Sequence, residues 1–389
     1  MAKTGRMILI SLSLLIPIFL ALSSFTDRRL NRMLTYVHPR DISPEVQQLH
    51  ASLFIGDLHC DSLLWRRNLW KRFSHGHVDF PRLKEGNVAL QMFTAVTKSP
   101  LGLNLVRNSN KSLDTISLLT AAQSLTDIGA IVSMKERALK QAAYLHYLAK
   151  EHPVELLVVK DRASLMSLIE RRKKGEKIIG AMLGIEGLHC LEGKQSSLQD
   201  LWDAGYRMAA MTHFMDTELG GSAHGEEKHG ITSFGELIAD EMEAKGMVID
   251  LSHSSLPLAR ALLARPSTIP MVYSHTGVYA VCPSERNIPD DIIESIGKRG
   301  GVIGVGFWPD ATCGTDVASI VRAIQHVVQV AGIDHVSYGS DWDGAVSVPV
   351  DAAHLIYLTD ALVEAGFSPA DIGKIAGGNM QRVFLNVLH

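Results

Sequence analysis

A chain of 389 residues, 46% hydrophobic and 20% charged, has enough apolar surface for one large core or two smaller ones. Its formal net charge of −3 supplies no basic field, so no nucleic-acid partner is expected. The four cysteines, Cys60, Cys190, Cys282 and Cys313, show no CxxC spacing, which excludes a cysteine zinc site or a disulfide-dense scaffold; one bridge stays open, and the fold does not depend on it.

The first distinctive stretch is Met7 to Phe25, apolar and uncharged, preceded by Lys3 and Arg6. It is long enough to cross a bilayer and longer than a usual signal-peptide core, so residues 1–25 read as a transmembrane or signal-anchor helix. Ala21-Leu22-Ser23-Ser24 offers a weak cleavage site as the alternative. Arg28, Arg29 and Arg32 follow the span and leave its orientation undetermined by charge; the reading adopted puts the folded part outside the cytoplasm, tethered to the membrane. Residues 26–48 read as a polar, basic linker, and 49–389 as the folded domain.

From Leu53 onward short apolar runs alternate with helical patterns, the signature of parallel strands joined by crossover helices. Strands are predicted at Leu53–Leu58, Val88–Val96, Ile178–Ile185, Tyr206–Thr212, Met247–Leu251, Met271–Ser274, Val302–Phe307 and His335–Ser340. Amphipathic stretches such as Ile231–Lys245, Leu256–Ala264, Ile292–Arg299 and Val317–Val330 lie between them. A helical insert over 112–150 separates the second and third strands, and two helices, Ala352–Glu364 and Pro369–Leu388, end the chain. Eight β/α units predict a TIM-type (β/α)8 barrel, with its chemistry where the strands end.

Those ends carry a pattern. The first reads His59-Cys60-Asp61, and the third ends in Glu186. The fourth, fifth and sixth end in His213, His253 and His275, and the eighth in Asp341. Turn chemistry favours Gly, Asn, Ser and Asp at such positions, so histidine or acid at six of eight tips points to a metal site. Two divalent ions would be held by His59 and Asp61 on one side and His253 and His275 on the other, with Glu186 bridging. A shared hydroxide would then act as nucleophile at neutral pH, suiting amide or ester hydrolysis. The ligand types favour zinc, two per chain, with manganese or cobalt able to replace it.

Seven stretches make the chain resemble the membrane dipeptidase (renal dipeptidase) family of zinc metallopeptidases, peptidase family M19, within the amidohydrolase superfamily. They are DLHCDSLLW (57–65), GIEGLH (184–189), MTHFMDTELGGSAHG (211–225) and VIDLSHSS (248–255), followed by YSHTGVYAVCPSERNIPDD (273–291), GSDWDG (339–344) and IAGGNMQRVF (375–384). The resemblance implies a barrel of the metal-dependent hydrolase type, a dipeptidase and the same five ligands. It further implies that His213 stabilises the oxyanion, that Arg286 clamps the substrate carboxylate, and that Asp341 meets the amino group or the leaving nitrogen's proton. Asp343, two residues on, competes with Asp341 for that role; Asp341 falls at the strand tip and is preferred. A related amidohydrolase acting on N-acyl amino acids, lactones or cyclic amides is the alternative, and a metal-stabilised binding protein without turnover is a third reading. A homodimer is compatible with the sequence. Cys60, His189, His224, His229, Tyr279 and Trp308 are assigned no chemical role.

Overall fold

The computed structural model describes residues 21–389 except 125 and 268. Eight parallel strands close into a barrel: β1 (Ile55–Cys60), β2 (Val88–Val96), β3 (Ile179–Glu186), β4 (Tyr206–Ala210), β5 (Val248–Asp250), β6 (Val272–Thr276), β7 (Val302–Val305) and β8 (Val336–Tyr338). Each pairs with its neighbours in chain order, and β8 closes the ring by pairing Tyr338 with Asp57 of β1. The predicted strands are all present: β2 matches its expected bounds, β4, β5, β7 and β8 are two or three residues shorter where the ladder gives way to loops, and β1, β3 and β6 start and end one or two residues later than expected. A three-residue strand, Leu156–Val158, adds to the outside of β3; its apolar run was too short to stand out from the preceding helix.

Seven of the eight strands send Leu58, Leu90, Met92, Met182, Met208, Val248, Val272 and Val302 into one buried cluster. Met380, Val383 and Phe384 of the last helix, Asn379–Val387, join it and close one end of the barrel. Gly56 permits this approach, since a Cβ there would lie 2.8 Å from the Met380 sulfur. Asn379 ties the same helix to the barrel through the carbonyls of Ile333 and Val336, both at 2.8 Å. The larger apolar cluster lies between the strands and the outer helices, whose starts are capped by the residues the sequence supplies: Thr232, Ser255 and Asp316. Cys282 and Cys313 form a disulfide joining the loops after β6 and β7.

The insert over 112–150 contains three helices, Thr115–Gln123, Ile128–Val132 and Met134–Glu151. Most of the apolar stretch 7–25 lies outside the described residues, and among the described residues no helix is long and apolar enough to cross a membrane. Residues 21–30 are helical. The stretch expected as a linker is pinned to the barrel: Arg32–Met33 pairs with Ser347–Val348, and His38 stacks on Tyr357 while meeting Asp360 at 2.8 Å. Its polar residues read as linker because their partners stand more than 300 positions away.

Candidate active site

All eight predicted site residues converge at the end of the barrel where the strands finish. His59 and His275 are the next-to-last residues of β1 and β6, and Glu186 ends β3. Asp61, His213, His253 and Asp341 stand one to three residues beyond their strands, and Arg286 lies in the loop after β6. In β1 the pairing register with β2 shifts between Asp57 and Cys60, which turns the strand so that Leu58 joins the interior cluster while His59 faces the site. His253 and Asp341 hold left-handed backbone at φ 62° and 59°, a conformation non-glycine residues adopt at a cost and one common at functional sites.

Glu186 is the hub. Its Oε1 lies 3.0 Å from His253 Nε2, 3.2 Å from His275 Nε2 and 3.6 Å from His59 Nε2. Its Oε2 lies 3.3 Å from His213 Nε2, and His59 Nε2 is 3.5 Å from Asp61. Two ligand trios follow, His59–Asp61–Glu186 and Glu186–His253–His275, sharing the one carboxylate. A third grouping includes Asp250, but that carboxylate is engaged: it accepts from the Ser252 and Ser274 amides at 3.0 and 2.9 Å and from Ser274 Oγ at 2.5 Å.

That engagement sets the histidines. With its proton on Asp250, Ser274 Oγ accepts from His59 Nδ1 at 3.0 Å and His275 Nδ1 at 2.9 Å. Both rings then carry hydrogen on Nδ1 and point Nε2 into the site, the orientation a metal ligand requires. His59 Nε2 is buried with no hydrogen-bond partner, an atom left for something else to satisfy. Asp61 is held by Thr94 Oγ1 at 2.6 Å. Asp57 accepts from Gln91 at 2.6 Å and from the Ser340 amide at 2.8 Å, bracing β1 against its two neighbours.

The electrostatics are unfinished. Burial pushes Glu186 well above the usual carboxylate range, and Asp61 adds to it. Burial, reinforced by Asp61, raises Asp341 to about 8 despite His59 nearby. Burial alone would lower His59, yet the Asp61 and Glu186 carboxylates lift it to about 10. Burial drives His213, His253 and His275 well below the ordinary imidazole value. Neutral His253 and His275 and the buried Asp61 and Glu186 carboxyls are donor types that divalent cations take, and such cations would replace the proton that His59 holds in their absence. The donor set therefore fits two such ions.

Above the cluster is a cavity of about 630 Å³ that Asp61, Glu186, His213, His253, Arg286 and Asp341 all line. Arg286 is buried, donates to the His275 carbonyl at 2.8 Å and stands 5.4 Å from the centre of the Trp308 ring. Asp343 does not reach this cavity; it is buried beside Arg67, with which it pairs at 2.6 Å. The orienting residues Asp57, Thr94, Asp250 and Ser274 were missed in the sequence. Asp57 and Asp250 had a signal, since an acid inside an apolar strand needs a buried partner; Thr94 and Ser274 had none.

Residues 44–388 match the family model described as membrane dipeptidase (peptidase family M19). A curated relative, dipeptidase aclJ of Aspergillus oryzae (strain ATCC 42149 / RIB 40), is 28% identical over 365 residues, covering 88% of this chain and 80% of its own. A solved structure of a metallo peptidase, dipeptidase AC of family M19, superposes with a TM-score of 0.71 at 22% identity, over 87% of this chain and 99% of that one. A metallo peptidase from Rhodobacter sphaeroides, liganded with a phosphinate mimic of the dipeptide L-Ala-D-Ala, gives 0.70 at 21% identity, over 86% and 99%. At those identities the two structures are similar in fold, while the family match spans nearly the whole folded region. The chain belongs to the membrane dipeptidase family, peptidase family M19, and is a hydrolase of the metallodipeptidase type.

Proposed function

We propose that the protein cleaves dipeptides with free amino and carboxyl ends at a site holding two zinc ions, one on His59, Asp61 and Glu186 and the other on Glu186, His253 and His275. The observation that carries this reading is the sharing of Glu186 between two complete ligand trios. When bound, such a pair supplies Lewis acidity toward the scissile carbonyl and lowers the pKa of a shared water toward neutrality. The chain's own residues do the rest. Arg286, buried on the cavity wall, receives the substrate carboxylate, where a desolvated guanidinium binds it strongly. His213, beside Glu186 Oε2, stands where charge develops on the carbonyl oxygen. Asp341, on the cavity wall beside Asp61 and Glu186, takes a proton and hands it to the departing nitrogen.

The experiment is metal analysis of the purified protein together with hydrolysis of a dipeptide and its N-acetylated form. Two zinc per chain and preference for the free dipeptide are expected. Preference for the blocked compound would shift the assignment to an N-acyl amino acid hydrolase. The apolar stretch 7–25 supports a membrane-tethered enzyme whose folded domain lies outside the cytoplasm. A reporter fused after His389 that works only in the cytoplasm would reverse that orientation.

A further inference from the structure

The catalytic cavity has an unexpected contributor. Thr26 and Leu30, one helical turn apart in the helix over residues 21–30, line it together with Asp61, Glu186 and Arg286. This helix lies outside the region of the family match, which begins at residue 44. Its placement is fixed. Ser23, Asp27 and Asn31 recur at four-residue steps, and all three are buried. Asp27 meets Arg67 at 3.2 Å and His75 at 3.1 Å, and it accepts from Asn31 at 2.9 Å. Asn31 in turn accepts from the Ala345 amide at 2.9 Å, and Arg32–Met33 pairs in register with Ser347–Val348. Apart from the Asp27–Asn31 bond within the segment itself, these contacts reach the loop that carries Asp341 or the segment that braces it.

With the buried face anchored, the neighbouring face presents Leu30 to the cavity. Leu64, Leu103, Ile116 and Val346 also line this outer part. Leu30 is 39% exposed, so it is a wall of the chamber and not part of the packed core.

We propose that residues 26–33 form a fixed wall of the substrate pocket, and that Leu30 selects dipeptides whose first residue carries a large apolar side chain. The proposal rests on the dipeptidase reading, in which Arg286 holds the other end of the substrate. A side chain on the first residue then points away from the clamp, toward the apolar chamber. Asp27 is a positioning residue: through Arg67 it holds the helix against the loop of Asp341 and touches no substrate.

The test uses the full chain, zinc-loaded, with Leu-Gly, Gly-Leu and Gly-Gly as substrates. Leu30→Ala is expected to lower kcat/KM for Leu-Gly about five-fold more than for Gly-Gly, mainly through KM, as suits loss of a half-exposed apolar contact. Gly-Leu should follow Gly-Gly. Asp27→Asn should reproduce the same selective loss, because freeing the helix removes the wall. An equal effect on all three substrates, or a loss confined to Gly-Leu, overturns the proposal. If the unaltered protein cleaves none of the three, the dipeptidase reading fails. The wall is then judged by calorimetric binding of phosphinate dipeptide mimics with a leucyl or glycyl first residue. Weakening by Leu30→Ala confined to the leucyl mimic keeps the wall, and equal binding rejects it.

Discussion

Asp341 and Asp343 stand two residues apart in the loop after β8, both buried and both on left-handed backbone. Their surroundings differ in kind. Burial would raise Asp343, but Arg67 and His77 hold it below the usual carboxylate range, and it also accepts from Ser62 Oγ at 2.6 Å and the His77 amide at 2.7 Å. Asp341 has His59 only at 4.0 Å and no ion pair as close as that of Asp343 with Arg67, and burial carries it up to about 8. A buried charge completed by the protein is structural, and its cost is met in folding. A buried acid left incomplete beside other acids and unprotonated imidazoles is stability given up for a cation and a substrate.

The contrast is broken most sharply at its centre. Glu186→Gln removes the charge that both ligand trios share, and kcat/KM should fall about a thousand-fold or more with zinc content reduced. Near-normal turnover in a preparation free of the unaltered protein would leave the two-ion site without support. Asp343→Asn should instead cost stability, about 3–5 kcal/mol by urea unfolding, since Arg67 loses its closest carboxylate, while zinc content stays at the unaltered level. Asp341→Asn should lower kcat about a hundred-fold without lowering the unfolding midpoint of the metal-free protein. If the two asparagine variants behave alike, the distinction between completed and incomplete acids is wrong. A smaller effect is expected from Ser274→Ala, which frees the His59 and His275 rings and should weaken zinc binding about 10–100-fold in a chelator competition.

The pH dependence of the metal-free protein sharpens the same comparison. Asp341 and His59 have folded pKa values raised to about 8 and about 10. Their stabilisation is complete at pH below their ordinary values and is lost as pH rises through the raised ones. Asp343 is lowered, so its contribution is present above the ordinary carboxylate value and lost as pH falls. The metal-free protein should therefore lose thermal stability as pH rises, from about 4 to 8 through Asp341 and from about 6.5 to 10 through His59, and zinc should abolish that loss. A flat profile in this range would mean that the acids and imidazoles are not coupled as the geometry implies.

Much of this site was legible in the chain. Apolar runs of strand length ending in histidine or acid are local signals, and the barrel converts local ends into one cluster because parallel strands all finish on the same face. His59, Asp61, Glu186, His253 and His275 could be named for that reason. Asp341 could be preferred over Asp343 by its position at the strand tip. The orienting layer could not, because Ser274 matters through an acid 24 positions away and Thr94 through one 33 positions away.

The order of strands, their polar tips and the family motifs were thus fixed by sequence alone, since each depends on neighbours within a few residues. Tertiary structure decided which buried acid is answered by Arg67, which imidazole nitrogen faces the site, and that Thr26 and Leu30 line the cavity instead of merely leading into the domain. Those outcomes depend on burial and on partners up to some 300 residues away, and local pattern carries no record of either.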